Sequence, residues 1–399
     1  MQKTRNNFKW VFCTALPKIS IFLLSLPFVI LMRVIRPVIW VRLIPIRDRI
    51  GHGLADIDIY LLKRRAGLYP FKGLDIFYPD RPWKCNRQMI KMWQRLIPLY
   101  DLVFWIVWAH WGNPVMEGHN YYPVHGYRDI HGLSNDVPPS VSFTAKEEDR
   151  GAALLRAMGI APGSPIVCFH ARDNVFLNVH TPGKNWEYHD FRDVDIDTYV
   201  PAIKELVARG YYPIRMGKVV NKAFSWKDSH VIDYAVSPWR SDFADMYLIS
   251  RCHFYIGTSC GMDAVAEFFR KPRIILNMIS IIDISFWSLN YFCIFKKLWL
   301  IKDKRFLTFR EQINSEVGGI MEAAQFKEHG LEIVDNTPEE ILDAVIEREE
   351  RSRGCWQTND EYEDLQRRFW GLYIPGEHYR VLKARVGSKF LMQNKGLLD

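Results

Sequence analysis

The chain has 399 residues, 48% of them apolar and 25% charged, which suits a folded protein with a large core and argues against global disorder. Its net charge of +8 and pI near 9.0 favour an acidic partner, either a phosphorylated ligand or an anionic membrane surface. No basic run is interleaved with stacking aromatics, so nucleic acid is not an expected partner. The seven cysteines are scattered and form no CxxC pair, which argues against a disulfide scaffold and against a zinc site.

A lipophilic segment at residues 1–37 comes first. Its longest charge-free run, Ile19 to Met32, has 14 residues, fewer than the about 20 that span a bilayer. Cations lie on both sides of it: Lys3, Arg5, Lys9, Lys18, Arg33, Arg36 and Arg42. This pattern predicts a helix lying in the interface of an anionic leaflet, peripheral or monotopic, at the cytoplasmic face of the inner membrane. A buried core helix, a cleaved signal peptide and a tilted span are the alternatives.

Residues 38–145 read as a first α/β unit. Strands are predicted at 40–46 and 74–79, helices at about 86–97 and 101–111, and irregular structure over 113–144. Between the strands, "RIGHGLAD" contains Gly51 and Gly53, which permit a tight turn. His52 and Asp56 would lie at the mouth of that turn, where an imidazole or carboxylate could act as a general base. The alternative is a structural turn with a carboxylate complementing a helix dipole.

From residue 146 strands and helices alternate, which predicts an α/β fold with a parallel sheet. Strands are expected at 164–170, 211–217, 230–234, 253–257 and 273–277. One helix would end at Gly159, a second would begin at an Asp197 cap and end at Gly210, and a third would be capped by Ser241. The last segment, 336–399, reads as a charged helical tail.

Polar residues follow three of these strands. "VCFHARD" places His170, Arg172 and Asp173 after a hydrophobic strand, "YYPIRMG" ends with Arg215 and Gly217, and "YIGTSCG" ends at residues 257–261. Ligands of parallel α/β sheets bind at the carboxyl ends of the strands. A small-residue turn at a helix N-terminus also presents N–H groups that suit phosphate. The sequence therefore predicts a phosphate-binding cleft, although a surface Arg–Asp pair and a structural histidine would also explain these residues.

The "GTSCG" motif has a second interpretation. It matches G-x-S-x-G between a strand and a helix, as a hydrolase nucleophile elbow requires, with Ser259 as nucleophile. Asp283 or Asp335 and then His329 or His378 would complete a Ser–acid–His order. No oxyanion segment of the HGGG type precedes it, and a hydrolase leaves His170 and Arg172 unexplained.

Together these motifs resemble a family of bacterial glycosyltransferases associated with surface-polysaccharide gene clusters. The resemblance rests on "VCFHARDNVFL", "DVDIDTYVPAIKELVARGYYPIRMG", "VIDYA", "RSDFADMYLISRCHFYIGTSCGMDAVAEFFRKP" and "RIGHGLADIDIYLL". The C-terminal half is similar in plan to O-fucosyltransferase-like enzymes of the GT-B fold. That resemblance implies two Rossmann-like domains facing across a cleft, with an acceptor domain at 38–145 and a nucleotide-sugar domain at 146–335.

The resemblance also implies roles for individual residues. It carries a donor-binding role to His170 and Arg172 and to Thr258, Ser259 and Gly261, and Cys260 in the same loop is a donor-site candidate beside them. Arg215, Gly217, Asp233, Ser241 and Asp242 are the further donor-site candidates. Asp173 stands where the fucosyltransferases carry a second basic residue. The fold needs no metal, and "DVDID" (193–197) reads as an acid cluster at a helix start.

The expected function is metal-independent transfer of a hexosyl or deoxyhexosyl group from a nucleotide-sugar to a glycan or lipid-linked acceptor, without another cofactor. Arg172 would stabilise the leaving diphosphate, and Asp56 or His52 would be the base. A serine hydrolase, a non-catalytic scaffold of a polysaccharide complex and a nucleotide-sugar epimerase are the alternatives.

Overall fold

Most of the expected strands and helices are present in the computed structural model, which describes residues 16–35, 37–69, 73–80, 86–110, 128–180, 185–373 and 381–399. The chain divides into two units. Unit 1 comprises residues 1–127 and 140–142, and unit 2 comprises residues 128–139 and 143–399. The division therefore falls before the expected boundary near residue 145, and residues 336–399 belong to unit 2.

Unit 1 is built from helices around a small parallel sheet. Its elements are α1 (Leu16–Ile35), β1 (Trp40–Ile46), α2 (Ile50–Arg65), β2 (Gly73–Pro79), α3 (Arg87–Gln94) and α4 (Asp101–Ala109). Strands β1 and β2 pair in parallel from Trp40 opposite Gly73 to Ile46 opposite Pro79. In the described part of unit 1 the sheet has only these two strands. The expected Rossmann-like form of this unit therefore stays a prediction, and so does the expected cleft between two domains.

The prediction of a glycine turn after β1 is wrong, because α2 already begins at Ile50 and includes both Gly51 and Gly53. Gly53 serves close packing: a Cβ there would lie 2.6 Å from Met89 Cε and 2.8 Å from the Arg47 carbonyl oxygen. Trp93 Nε1 of α3 also donates to the Gly53 carbonyl at 3.0 Å. The glycine therefore lets α3 approach the backbone of α2.

Arg42 is not one of the exposed cations beside the lipophilic segment. It is buried in β1, and its Nε lies 2.6 Å from Asp75 Oδ1. Tyr60 donates to the same oxygen at 2.7 Å, and burial, followed by this bond to Asp75, raises the pKa of the Tyr60 phenol. Arg42 thus stabilises the interior of unit 1. Of the other expected cations, Lys18 and Arg33 belong to α1, while Lys3, Arg5, Lys9 and Arg36 lie outside the described residues.

Unit 2 contains a six-stranded sheet, a small antiparallel sheet and a set of helices. The strands are β3 (Ile166–Phe169), β4 (Tyr212–Arg215), β5 (Tyr255–Gly257), β6 (Arg273–Met278), β7 (Tyr291–Phe295), β8 (Lys297–Leu300), β9 (Arg305–Phe306), β10 (Leu331–Val334) and β11 (Arg385–Val386). The helices are α5 (Ala145–Ala157), α6 (Val175–His180), α7 (Val200–Ala208), α8 (Asp242–Arg251), α9 (Gly261–Phe268), α10 (Phe309–Ile313), α11 (Ala323–Glu328), α12 (Pro338–Arg353), α13 (Asp360–Trp370) and α14 (Ser388–Gln393).

The six-stranded sheet has the order β11-β7-β6-β5-β3-β4, and every pair in it is parallel. This confirms the expected α/β fold with a parallel sheet. Its strands are nearly continuous apolar runs, as "IVCF" and "YFCIF" show, because helices such as α7 and α12 cover them. The expected tail contributes β11 to this sheet, since Arg385 and Val386 pair with Phe292 and Cys293.

Two local predictions in unit 2 are wrong. Residues 230–234 form no strand and contribute one bridge, between Ile232 and Ile214. The cap before α7 is Asp195, whose side chain accepts from the Asp197 backbone N–H at 3.0 Å and begins a short 3-10 helix (Ile196–Tyr199). Asp197 instead accepts from Ser225 N–H and pairs with Lys222 at 2.6 Å, which fixes the loop after β4.

Candidate functional site

The candidate site of unit 2 lies where the strand order reverses. From β3 the chain moves to β4 on one side and then crosses to β5 on the other side of β3. In open α/β sheets this reversal leaves a crevice at the carboxyl ends of the two central strands, and ligands bind there. The residues directly after β3 and β5 are His170–Arg172 and Thr258–Gly261, the two segments that the sequence singled out.

The structure brings these two segments together. The His170 backbone N–H donates to the Ile256 carbonyl at 2.9 Å. The Arg172 backbone N–H donates to Thr258 Oγ1 at 3.2 Å, and Thr258 is buried. Thr258 therefore fixes the loop after β3 against the loop after β5. The loop after β5 leads directly to the start of α9, whose first residue is Gly261.

A cysteine and a histidine meet at the start of α9. Cys260 precedes Gly261 as the N-cap, and its Sγ lies 3.6 Å from His170 Nδ1. Burial disfavours the thiolate, but the positive charge of His170, its hydrogen bond and the Asp263 backbone N–H lower the pKa of Cys260 to about 7. The Tyr255 hydroxyl lies 3.9 Å from the same sulfur. The thiolate is thus stabilised at an anion-favouring helix N-terminus.

Arg172 is held in a nearly buried ion pair. Its side chain is 9% exposed, Nη1 pairs with Asp193 Oδ1, and the same nitrogen donates to the His189 carbonyl at 2.9 Å. Burial raises the pKa of Asp193 to about 6, although the charge of Arg172 opposes this rise. Near neutral pH the pair is therefore ionised, and Asp193 already neutralises part of the Arg172 charge.

Two further cations that the sequence interpretation missed lie beside this pair. Arg192 Nη2 donates to the Ser259 carbonyl, which links residues 187–192 to the loop before α9. Lys296, directly after β7, is buried and donates to the Phe191 and Asp193 carbonyls at 2.9 and 3.1 Å. Burial lowers the pKa of Lys296, while Asp335 at 2.8 Å stabilises its charge. Arg172, Arg192 and Lys296 thus bring positive charge to the carboxyl edge of the sheet.

Arg215, the last residue of β4, forms an ion pair with Asp233. Arg215 Nη1 lies 3.3 Å from Asp233 Oδ2 and donates to the Lys222 carbonyl at 2.6 Å. Asp233 accepts from the Phe224 backbone N–H at 2.8 Å. At Gly217 a Cβ would lie 2.7 Å from Val220 Cγ1. These contacts stabilise the 218–233 loop, and a donor-binding role for the three residues stays a prediction.

Ser241 and Asp242 begin α8. Ser241 caps the helix by accepting from the Ala244 backbone N–H at 3.2 Å, as the sequence predicted. The hydroxyl of buried Tyr234 accepts from the Ser241 N–H at 3.0 Å and donates to Asp245 Oδ1 at 2.6 Å. Asp242 lies in the first turn, where its charge complements the helix dipole. Contact of Ser241 and Asp242 with a nucleoside stays a prediction.

Asp245 makes the stability of unit 2 pH-dependent. Burial raises its pKa to about 6, against the opposing hydrogen bond from Tyr234 and the charge of Arg240. The folded state therefore keeps a proton that the unfolded state releases near pH 4. The free energy of unfolding should fall by about 2–3 kcal/mol between pH 4 and 6, relative to Asp245→Asn. Urea unfolding of both chains at several pH values measures this difference; parallel pH curves would contradict the assignment.

In unit 1, α2 places His52 and Asp56 one turn apart. His52 Nδ1 lies 3.7 Å from Asp56 Oδ2, and Arg47 Nε lies 4.0 Å from the same oxygen. Asp56 is 2% exposed, and its Oδ1 has no hydrogen-bond donor among the described residues. Neighbouring Asp58 accepts from the Ser140 hydroxyl at 2.7 Å. The half-exposed His52 imidazole can accept a proton from a hydroxyl group, and the buried Asp56 carboxylate beside it can stabilise the resulting charge.

The residues expected to complete a hydrolase triad have other partners. Asp283 pairs with Arg128 at 2.6 Å, Asp335 pairs with Lys296, and His329 lies 3.4 Å from Glu316. His378 lies outside the described residues. The imidazole at the "GTSCG" loop is that of His170, and its hydrogen-bond partner there is the sulfur of Cys260. These contacts do not favour Ser259 as a nucleophile.

Comparison with known proteins gives two partial likenesses. The E. coli ADP-heptose lps heptosyltransferase II is 13% identical, and the match covers 59% of this chain and 84% of that chain with a TM-score of 0.29. A glycosyl transferase family 9 protein of Veillonella parvula DSM 2008 is 11% identical, with 57% and 62% coverage and a TM-score of 0.28. No protein-family model and no curated protein matches the chain. Both structures are of glycosyltransferases, the class expected from the sequence, but at TM-scores this low neither likeness carries an argument about this chain.

Proposed function

We propose that the protein is a glycosyltransferase that moves a sugar from a nucleotide-sugar to a glycan or lipid-linked acceptor in bacterial surface-polysaccharide synthesis. The observation that carries the proposal is the meeting of His170–Arg172 and Thr258–Gly261 where the strand order of the parallel sheet reverses. Such a crevice, with a helix beginning at its edge, suits a nucleoside diphosphate. The transferred group is proposed to be hexosyl or deoxyhexosyl.

Transfer of the sugar requires unit 2 to stabilise the leaving diphosphate. When the bond between the sugar C1 and the diphosphate oxygen breaks, negative charge grows on the phosphates. The N-terminus of α9 and the guanidinium groups of Arg172 and Arg192 would stabilise that charge. These groups could do the electrostatic work of a metal ion, so transfer is proposed to be metal-independent and to need no other cofactor.

The acceptor needs a base, and we assign that role to Asp56 or His52. The acceptor hydroxyl oxygen forms the new bond to C1, and its proton passes to the carboxylate or the imidazole. The 3.7 Å contact between the half-exposed His52 imidazole and the buried Asp56 carboxylate supports this choice. The acceptor is proposed to be lipid-linked because α1 is long and apolar and exposes large apolar residues such as Leu24, which suits contact with a membrane. The reaction would then take place at the cytoplasmic face of the inner membrane.

Donor binding provides the test. Purified protein without added metal should be stabilised by one class among UDP-, GDP-, ADP-, CMP- and dTDP-sugars, with the melting temperature rising by about 2–4 °C at saturating ligand. Ser259→Asp adds a negative charge beside the proposed phosphate site, and a carboxylate before a helix is compatible with folding. We expect this variant to bind the same ligand at least about tenfold more weakly.

Ser259→Asn is the matched control, because it has the same size without the charge. It should bind within about threefold of the wild-type chain and have a similar melting temperature in the absence of ligand. If no nucleotide-sugar stabilises the wild-type chain, or if the aspartate variant binds normally, the proposed donor site is wrong. Stabilisation by a nucleotide-sugar that is turned over without any acceptor would instead indicate an epimerase.

A further inference from the structure

The apolar residues of α1 divide between two sides of the helix. Ser25, Val29 and Met32 form a buried stripe, and the last two pack with Val103 and Val107 of α4. The remaining sides expose large apolar residues, among which Leu24 is 83% exposed: Ile19, Leu23, Leu24, Phe28, Ile30, Leu31 and Val34. A continuous apolar surface of this kind marks an interaction site.

The buried stripe fixes α1 to unit 1 along its length. Ser25 Oγ and His110 Nε2 share a hydrogen bond of 2.9 Å, and the ring of Phe22 stacks on His110 at 4.4 Å. Lys18 Nζ lies 5.7 Å from the Trp108 ring. If α1 crossed a bilayer in this arrangement, it would carry α4 and the charged interior of unit 1 into the hydrocarbon, which is costly. These contacts therefore favour a helix that lies along a membrane.

Helix α4 exposes a second apolar group in the same unit. Leu102 is 69% exposed and Trp105 is 43% exposed, while Val103 and Val107 of the same helix are buried against α1. The Trp105 ring contacts Phe104 and Trp108 at centroid distances of 5.1 and 5.9 Å. Tryptophan is enriched at the level of lipid headgroups because its ring is apolar and its N–H is polar.

The charge of the chain is concentrated in the same unit. Residues 1–127 contain 18 Lys and Arg against 7 Asp and Glu, a net charge of +11. Residues 128–399 contain 35 against 38, a net charge of −3, so the first 127 residues account for the whole +8 excess. A basic unit with an exposed apolar surface suits an anionic bilayer, where lipid charge and acyl chains offer complementary contacts.

We propose that α1 and α4 together form a monotopic docking surface for an anionic lipid bilayer, lying in its interface without α1 spanning it. This deepens the proposed function and rests on its membrane location. It adds Leu102 and Trp105 to the membrane contact, and it makes two helices, rather than the first alone, responsible for binding.

Vesicle flotation of the full chain tests the proposal. The wild-type protein should float with phosphatidylcholine vesicles containing about 30% phosphatidylglycerol and at least about fivefold less with phosphatidylcholine alone. Leu102→Glu/Trp105→Glu should weaken binding at least about tenfold, because two apolar contacts are replaced by charges that the lipid repels. Leu289→Glu/Ile301→Glu is the matched control, since these unit 2 residues are 54% and 56% exposed, and it should bind within about twofold of wild type.

Normal flotation of the Leu102/Trp105 variant, together with resistance of the wild-type protein to alkaline carbonate extraction, would overturn the proposal and indicate a spanning α1. Failure of the wild-type chain to bind either vesicle would also overturn it. The circular dichroism spectra of both double variants show whether they fold. Because flotation needs no donor and donor binding needs no vesicle, a failed membrane proposal and a failed donor site are distinguishable.

Discussion

Replacing Arg172 with alanine should destabilise the protein by about 3 kcal/mol before any ligand is added. The substitution removes the guanidinium partner of Asp193, whose side chain is 23% exposed, and the pKa of that carboxyl, already raised by burial, then rises further. It also removes the donor to the His189 carbonyl. Guanidinium chloride unfolding of both chains at pH 7 measures the loss. An unchanged unfolding midpoint would contradict the ion pair.

Loss of nucleotide binding in Arg172→Ala alone therefore does not identify a ligand contact, because a weakened fold would also reduce binding. Arg172→Ala/Asp193→Asn removes both charges and should recover about half of the lost stability. In this folded double variant we expect nucleotide-sugar binding at least about tenfold weaker than in wild type, because the diphosphate loses a guanidinium partner. Asp193→Asn alone is the control, and it should bind at least as well as wild type. Normal binding by the double variant would make Arg172 a structural residue only.

The sequence allowed the sheet of unit 2 and the two central segments of its site to be predicted, because both are encoded locally. Apolar runs such as "IVCF" predict buried strands, and the residues that follow a strand lie at its carboxyl end whatever the rest of the chain does. His170 and Cys260 were therefore both placed at this edge. Their mutual contact follows from the pairing of β3 with β5, which no local pattern specifies.

What could not be predicted depends on partners far apart in the chain. Arg172 was expected as a cation for phosphate, yet its partner Asp193 is 21 residues away in a segment that read as a helix-start acid cluster. Arg42 was expected among the membrane cations, but Asp75 on the neighbouring strand neutralises it. Gly53 was expected in a turn because glycine permits one, whereas here it leaves space for Met89. Residue type was informative in each case, but burial decided the role.

Among the cysteines of the described residues, Cys260 should be alkylated faster near neutral pH than the more exposed Cys355. With a pKa lowered to about 7, about half of its thiol is ionised at pH 7, whereas an ordinary thiol is ionised only to a few per cent. Its reaction rate with iodoacetamide should rise with pH around a midpoint near 7. Cys168, Cys252 and Cys293 are buried and should stay unmodified until the protein unfolds. Peptide mass spectrometry identifies the labelled residue, and Cys260→Ser should lose that label.

His170→Ala tests the cause of this reactivity. Without the imidazole 3.6 Å away, burial acts on the thiolate unopposed by that charge, so the Cys260 pKa rises and alkylation at pH 7 should slow at least about tenfold. The same cysteine also reports on the proposed donor site, because it caps the helix that would hold the diphosphate. A nucleotide-sugar that stabilises the wild-type chain should therefore protect Cys260 from alkylation. If a nucleotide binds but leaves Cys260 open to alkylation, it binds away from α9. An unchanged alkylation rate in His170→Ala would mean that the helix N-terminus alone activates the thiol.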